Sequence, residues 1–151
     1  MNKKIVVIDA SVIIKVFIQE NDRKQTINLL KYLNQSDIKI IASELLLTET
    51  LNVCLAKNIS YHVVLKFFDS LDDFALKIAP IDSHVLRVAC KIAESGNKQS
   101  GFPSFNDCVY HALAITHDTW FITADNRHKA KTERQGHIIL LKDWQKIKSE
   151  S

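Results

Sequence analysis

Five short apolar segments separated by stretches of helical spacing constrain this chain more than any other feature of its sequence. The first, Ile5-Val6-Val7-Ile8, is an unbroken β-branched run, the pattern of a strand covered on both faces. Residues 39–42, 77–79 (stopped by Pro80), Trp120–Thr123 and 138–141 follow. Between them, residues 24–33 place Ile27, Leu30 and Leu33 on one side, with Leu29 beside them. Residues 44–57, 61–74, 83–94 (with Asp82 as cap) and 105–117 also read as helices, as do a short segment at 12–18 with Ser11 as N-cap and a polar one at 126–134. Short strands alternating with helices pair in parallel through crossovers. The prediction is an α/β fold: a three-layer α/β/α sandwich with a central, mostly parallel sheet. Ligands in such sheets bind beyond the carboxyl ends of the strands. Residues 96–103 collect two of the three glycines and one of the two prolines and read as a loop, and the tail from Lys142 reads as a short, fraying helix.

A chain of 151 residues is most simply one domain, 1–151, and is long enough to bury a proper core without staples. The net charge of +3 is too mild to imply nucleic acid. Cys54, Cys90 and Cys108 fall in predicted helices without C-x-x-C spacing, which predicts small buried thiols in a reduced, cytoplasmic protein rather than a disulfide framework or a zinc site. The basic start followed by Ile5-Val6-Val7-Ile8 is too short for a signal core, and no apolar run approaches the roughly 18 residues a membrane span needs.

Four acids stand out: Asp9 and Asp125 at strand ends, Glu49 and Asp107 on helices. Carboxylates brought together repel, and a divalent cation relieves the repulsion, so their convergence would make a metal site. Each also has a structural reading. Asp9 suits a turn or cap, although Ser11 could supply that cap instead. Glu49 shares a helix face with Leu45, Leu46 and Val53, so a pairing with a distant lysine would account for it; Asn52, at i+3, is placed to orient it. Ser104-Phe105-Asn106-Asp107 resembles a capping box with Asp in place of Glu. Tyr110 and His111 on the same helix serve substrate or simply pack. Asp125 suits the N-cap of the helix from Asn126. The basic run Arg127-His128-Lys129-Ala130-Lys131 is either a solvated face or a grip on phosphate.

Taken in order, Val7-Ile8-Asp9-Ala10-Ser11, Leu47-Thr48-Glu49-Thr50-Leu51-Asn52-Val53, Phe105-Asn106-Asp107-Cys108-Val109-Tyr110-His111-Ala112-Leu113-Ala114 and Phe121-Ile122-Thr123-Ala124-Asp125 resemble the PIN-domain family, and within it the VapC-type toxins of bacterial toxin–antitoxin pairs. The resemblance spans nearly the whole chain. It implies a PIN-like parallel sheet, a Mg²⁺ or Mn²⁺ site and endonucleolytic hydrolysis of RNA. It further implies Asp9, Glu49, Asp107 and Asp125 as catalytic metal ligands, Ser11 and Thr123 as the hydroxyl positions beside them, a cognate antitoxin and a homodimer. Lys15, Arg127, Lys129 and Lys131 are the candidate contacts to the RNA backbone. Two positions depart from the family pattern: Arg127 stands where many members carry a further acid, and His128 where phenylalanine is common. The first bears on whether a second metal binds. Two other readings stand beside this one. A receiver or haloacid-dehalogenase-type phosphatase wants acids this chain lacks, a second Asp in place of Ser11 for the phosphatase. The other is a non-catalytic PIN-fold module that binds RNA or protein.

Overall fold

The computed structural model describes residues 1–96, 98–99 and 101–149. Asn97 and Ser100 of the predicted loop, and the last two residues of the predicted domain, lie outside the described residues. The described strands are β1 (Ile5–Ile8), β2 (Lys39–Ser43), β3 (Leu76–Ala79), β4 (Trp120–Thr123) and β5 (Ile138–Leu140). They form one sheet in the order β3-β2-β1-β4-β5, and every pairing is parallel, so the mostly parallel sheet read from sequence is wholly parallel. The helices are α1 (Ala10–Phe17), α2 (Arg23–Gln35), α3 (Leu45–Ala56), α4 (Tyr61–Asp69), α5 (Ser83–Glu94), α6 (Phe105–Thr116), α7 (Asn126–Thr132) and α8 (Lys146–Ser149). Among the described residues no helix is long and apolar enough to cross a membrane.

The chain builds outward from β1 to β2 and β3, then returns to add β4 and β5 on the other side of β1. The reversal opens a crevice at the carboxyl ends of β1 and β4, the position where open α/β sheets take ligands. Val7 and Ile8 of β1 and Phe121 and Ile122 of β4 are fully buried. Each such side chain contributes about 1.5–3 kcal/mol to holding these two strands in place. Helix α6 lies across β1, β2 and β4 and packs against α5. Its residues 108–114 are all buried, so its sequence reads apolar almost all round.

Several predicted boundaries shift for identifiable reasons. The helix read over 61–74 ends at Asp69, where the Ser70 hydroxyl turns back to donate to the Phe67 carbonyl at 2.9 Å, and a 3-10 turn carries on over Leu71–Phe74. The helix read over 126–134 ends at Thr132, and a 3-10 turn follows at Glu133–Gln135. With few glycines available, three helices close on Asp37, Asn58 and Asp118 at φ values of 52°, 58° and 49°. The next residues, Ile38, Ile59 and Thr119, each donate N–H back to Leu33, Cys54 and Ala114 at 2.9 Å, satisfying carbonyls a helix end would leave orphaned. The buried-thiol expectation holds for Cys54 and Cys108 and fails for Cys90, which faces solvent from α5. A small thiol on an amphipathic helix carries too weak a polarity signal to fix its side.

Candidate metal centre at the ends of β1 and β4

Asp9 ends β1 and is only 2% exposed. Contrary to the sequence reading, it is Asp9 and not Ser11 that caps α1: its Oδ1 accepts the Val12 N–H at 3.2 Å. Ser11 sits inside the first turn, where its hydroxyl donates to Asp9 Oδ1 at 2.5 Å and accepts the Ala124 N–H at 2.9 Å. Thr123, the last residue of β4, donates to Asp9 Oδ2 at 2.6 Å and accepts the Asp125 N–H at 3.0 Å. Both hydroxyl protons are therefore committed to Asp9, and the two strand tips are stitched together through it. Burial pushes the Asp9 carboxyl up to about 6, partly offset by the Ser11, Thr123 and Val12 hydrogen bonds.

Asp125 caps α7, its Oδ1 accepting the Arg127 and His128 N–H groups at 2.7 and 3.0 Å. Among the described residues no hydrogen bond reaches Oδ2, so capping by Oδ1 does not exclude a ligand role for the other oxygen. Glu49 is half-buried on α3, and its two oxygens take donors from α6: Asn106 Nδ2 to Oε1 at 3.0 Å and Tyr110 OH to Oε2 at 2.8 Å. Asn52 is exposed and lines the same cleft, but the hydrogen bonds described for Glu49 come from Asn106 and Tyr110. Burial, followed by the Glu49 carboxylate, raises the Tyr110 phenol further above its ordinary range, so it remains a neutral donor. Asp107 sits in the first turn of α6, and burial is again the largest cause lifting it, here to about 7. The charges of Asp9, Asp125 and Glu49 add to that rise and a hydrogen bond with Ser104 opposes it. Ser104 occupies the N-cap of α6 without a side-chain capping bond, so the capping-box reading of this turn does not apply.

Asp9, Glu49 and Asp107 thus line one cleft with Ser11, Asn52 and Asn106, and Asp125 lies close enough to act on Asp107 electrically. As the side chains stand, no three of the described His, Cys, Asp and Glu residues are grouped to share one ion. This still fits Mg²⁺, which keeps several of its waters and takes one or two carboxylates directly. Hard oxygen donors and mutually repelling, raised carboxyls are the chemistry a divalent cation suits.

The basic candidates divide. Lys15 borders the adjoining groove of Ser11, Asp125 and Arg127, but its ammonium is paired with Glu20 at 2.8 Å and Asp22 at 2.9 Å. Lys129 pairs with Glu133, and Lys131 donates to the Phe102 carbonyl at 3.0 Å. Arg127 is exposed at the rim of that groove.

A histidine pair that sequence reading did not join lies between α6 and α7. His111 Nε2 lies 2.7 Å from the Gly136 carbonyl, and His128 Nε2 lies 3.3 Å from His111 Nδ1. With both Nε2 atoms protonated, each ring donates once, to Gly136 and to His111. Burial lowers both imidazoles to about 4. The partners of Glu49 were also missed: Asn106 and Tyr110 lie one and five residues beyond Phe105, and only the packing of the fold brings them to Glu49.

The family model described as PIN domain matches residues 6–133. Solved structures share the fold. A chain of the VapBC2 complex from Rickettsia felis, bound to a DNA fragment from its promoter, is 16% identical with a TM-score of 0.65, covering 90% of this chain and 96% of that one. The toxin VapC20 of Mycobacterium tuberculosis, described as cleaving the sarcin–ricin loop, is 11% identical with a TM-score of 0.65, covering 83% and 93%. A chain of FitAB bound to a DNA fragment is 18% identical with a TM-score of 0.67, covering 92% and 95%. No curated protein sequence matches the chain.

Proposed function

The chain belongs to the PIN-domain family, and from that premise we propose that it is a metal-dependent endoribonuclease serving as the toxin of a toxin–antitoxin pair. The observation that supports the reading is that Asp9, Glu49 and Asp107, at the end of β1 and on α3 and α6, line one cleft where the strand order reverses, with Asp125 near enough to act on Asp107 electrically. Asp9, Asp107, Asp125 and Glu49 would hold Mg²⁺ or Mn²⁺, directly or through water. When bound, such an ion makes water a stronger nucleophile near neutral pH and stabilises charge on a phosphoryl oxygen.

The residues do the rest. Ser11 and Thr123 fix the Asp9 carboxylate and, through the Ala124 and Asp125 N–H groups, the turn that carries Asp125. Ser104 steadies Asp107. Arg127 is the basic candidate best placed to meet an RNA phosphate, because Lys15 and Lys129 already face carboxylates. A cognate antitoxin is the proposed protein partner, in keeping with the VapBC complex among the structural relatives. A homodimer is proposed with it.

The test is cleavage of structured RNA by the purified protein with Mg²⁺ or Mn²⁺. Cleavage that both EDTA and Asp9→Asn abolish is the expected outcome. Binding of RNA without cleavage under either metal would favour the non-catalytic module instead.

A further inference from the structure

Resting on that reading of the site, we infer that Tyr110 is a positioning residue: its hydroxyl, with the Asn106 amide as outer partner, sets the Glu49 carboxylate in the orientation that meets the cation. A glutamate on a half-exposed helix face has three rotatable bonds and no reason to hold one pose. Here each oxygen has its own donor, Tyr110 OH at 2.8 Å on Oε2 and Asn106 Nδ2 at 3.0 Å on Oε1. A carboxylate offers about four lone-pair sites, so one donor per oxygen stops rotation and leaves acceptor capacity facing the cleft. The donors are neutral, so they orient the charge without cancelling it, as a lysine would.

Tyr110 is itself held. It is 0% exposed, and its ring stacks on Phe121 of β4 at 6.2 Å with the planes 9° apart. Two residues on, the same strand supplies Thr123, which fixes Asp9. Helix α6 carries Asp107 and, one turn later, the hydroxyl that reaches Glu49. One strand and one helix thereby set the relative placement of three acids on different elements.

Tyr110→Phe keeps the ring, the stack and the burial, and removes only the donor. Manganese uptake by the full chain, followed by calorimetry, reads the effect without reference to cleavage. Losing a residue that orients a metal ligand typically weakens metal binding about tenfold, and that is the loss expected for Tyr110→Phe. Asn106→Ala, an exposed position that cannot disturb the core, loses less in the same direction. In a Glu49→Ala background, Tyr110→Phe adds nothing, because the group it orients is gone. Unchanged Mn²⁺ affinity in both single variants, or an equal loss with and without Glu49, overturns the inference while leaving the metal centre standing. No Mn²⁺ uptake by the wild-type chain overturns the metal centre, and the inference with it. If Tyr110→Phe does not fold, Asn106→Ala with and without Glu49 decides the matter alone.

Discussion

The acids at the ends of β1 and β4 and the histidines between α6 and α7 meet the same physical problem with charges of opposite sign. Burial disfavours the ionised form in both places. It lifts Asp9 to about 6 and Asp107 to about 7, and it lowers His111 and His128 to about 4. The histidines resolve most of the conflict internally: they stay neutral, His111 donating to Gly136 and His128 to His111, while His128 Nδ1 is buried without a hydrogen-bond partner among the described residues. The acids do not. Their hydrogen bonds only partly offset burial, and Asp107 is raised further by three neighbouring carboxylates. The neutral pair carries no charge for burial to penalise, whereas the acids keep a mutual repulsion that a cation would relieve.

Asp107→Asn should act most strongly. It should reduce RNA cleavage to background while raising the stability of the metal-free protein at pH 7.5 by about 1 kcal/mol, since it deletes a repelled charge. Thermal unfolding alongside the cleavage assay checks both signs. A loss of both activity and stability would place Asp107 in the packing rather than the site.

Next in size is the effect of the ion. Mg²⁺ at a hundred times its dissociation constant should stabilise the wild-type chain by about 2.7 kcal/mol, reversibly with EDTA, and Asp107→Asn should lose most of that gain. The pH dependence then separates the two regions. Without metal, the stability carried by Asp9 and Asp107 is whole below their ordinary value of 3.8 and is lost as pH rises through about 6 and 7. The stability carried by His111 and His128 runs the other way, whole above 6.5 and lost as pH falls through about 4. The two trends oppose each other between about pH 4 and 6.5. Saturating Mg²⁺ removes the acid trend, so stability should then rise with pH across that window.

Removing the histidines isolates the acids. The double variant His111→Leu, His128→Phe leaves the Gly136 carbonyl without its donor and should cost about 1–3 kcal/mol at pH 7. Metal-free, its stability should fall steadily from pH 4 to pH 7, because only the acid trend remains. A flat profile would mean that the acids are not raised. Smallest is the effect at the rim. Arg127→Ala should reduce the salt dependence of RNA binding by about one phosphate contact, and Lys15→Ala should barely alter it, because Glu20 and Asp22 already neutralise that ammonium.

Much of this was legible in the chain. The β-branched run Ile5–Ile8 and the strand Trp120–Thr123 sit where periodicity put them, since strands buried on both faces must be apolar throughout. The four acids were legible as exceptions to the apolar patterns around them. The cap of α1 was misread because Ser and Asp are almost equally good caps, and only the Thr123 hydroxyl, 114 residues away, explains why Asp9 takes that place. The partners of Glu49 and the linking of His111 to His128 depend on helix crossings and on Gly136, contacts with no local signature. The ion pairing of Lys15 was hidden for a related reason: the turn after α1 that returns Glu20 and Asp22 to it carries no periodicity.

The most direct test follows the Asp107 side-chain carboxyl carbon by ¹³C NMR as pH is varied, first without metal and then with saturating Mg²⁺. A metal centre requires a midpoint near 7 in the metal-free protein, falling to the ordinary carboxylate range or below when the ion is present. A metal-free midpoint near 3.8, or one near 7 that Mg²⁺ leaves in place, would rule out a metal centre built on Asp107.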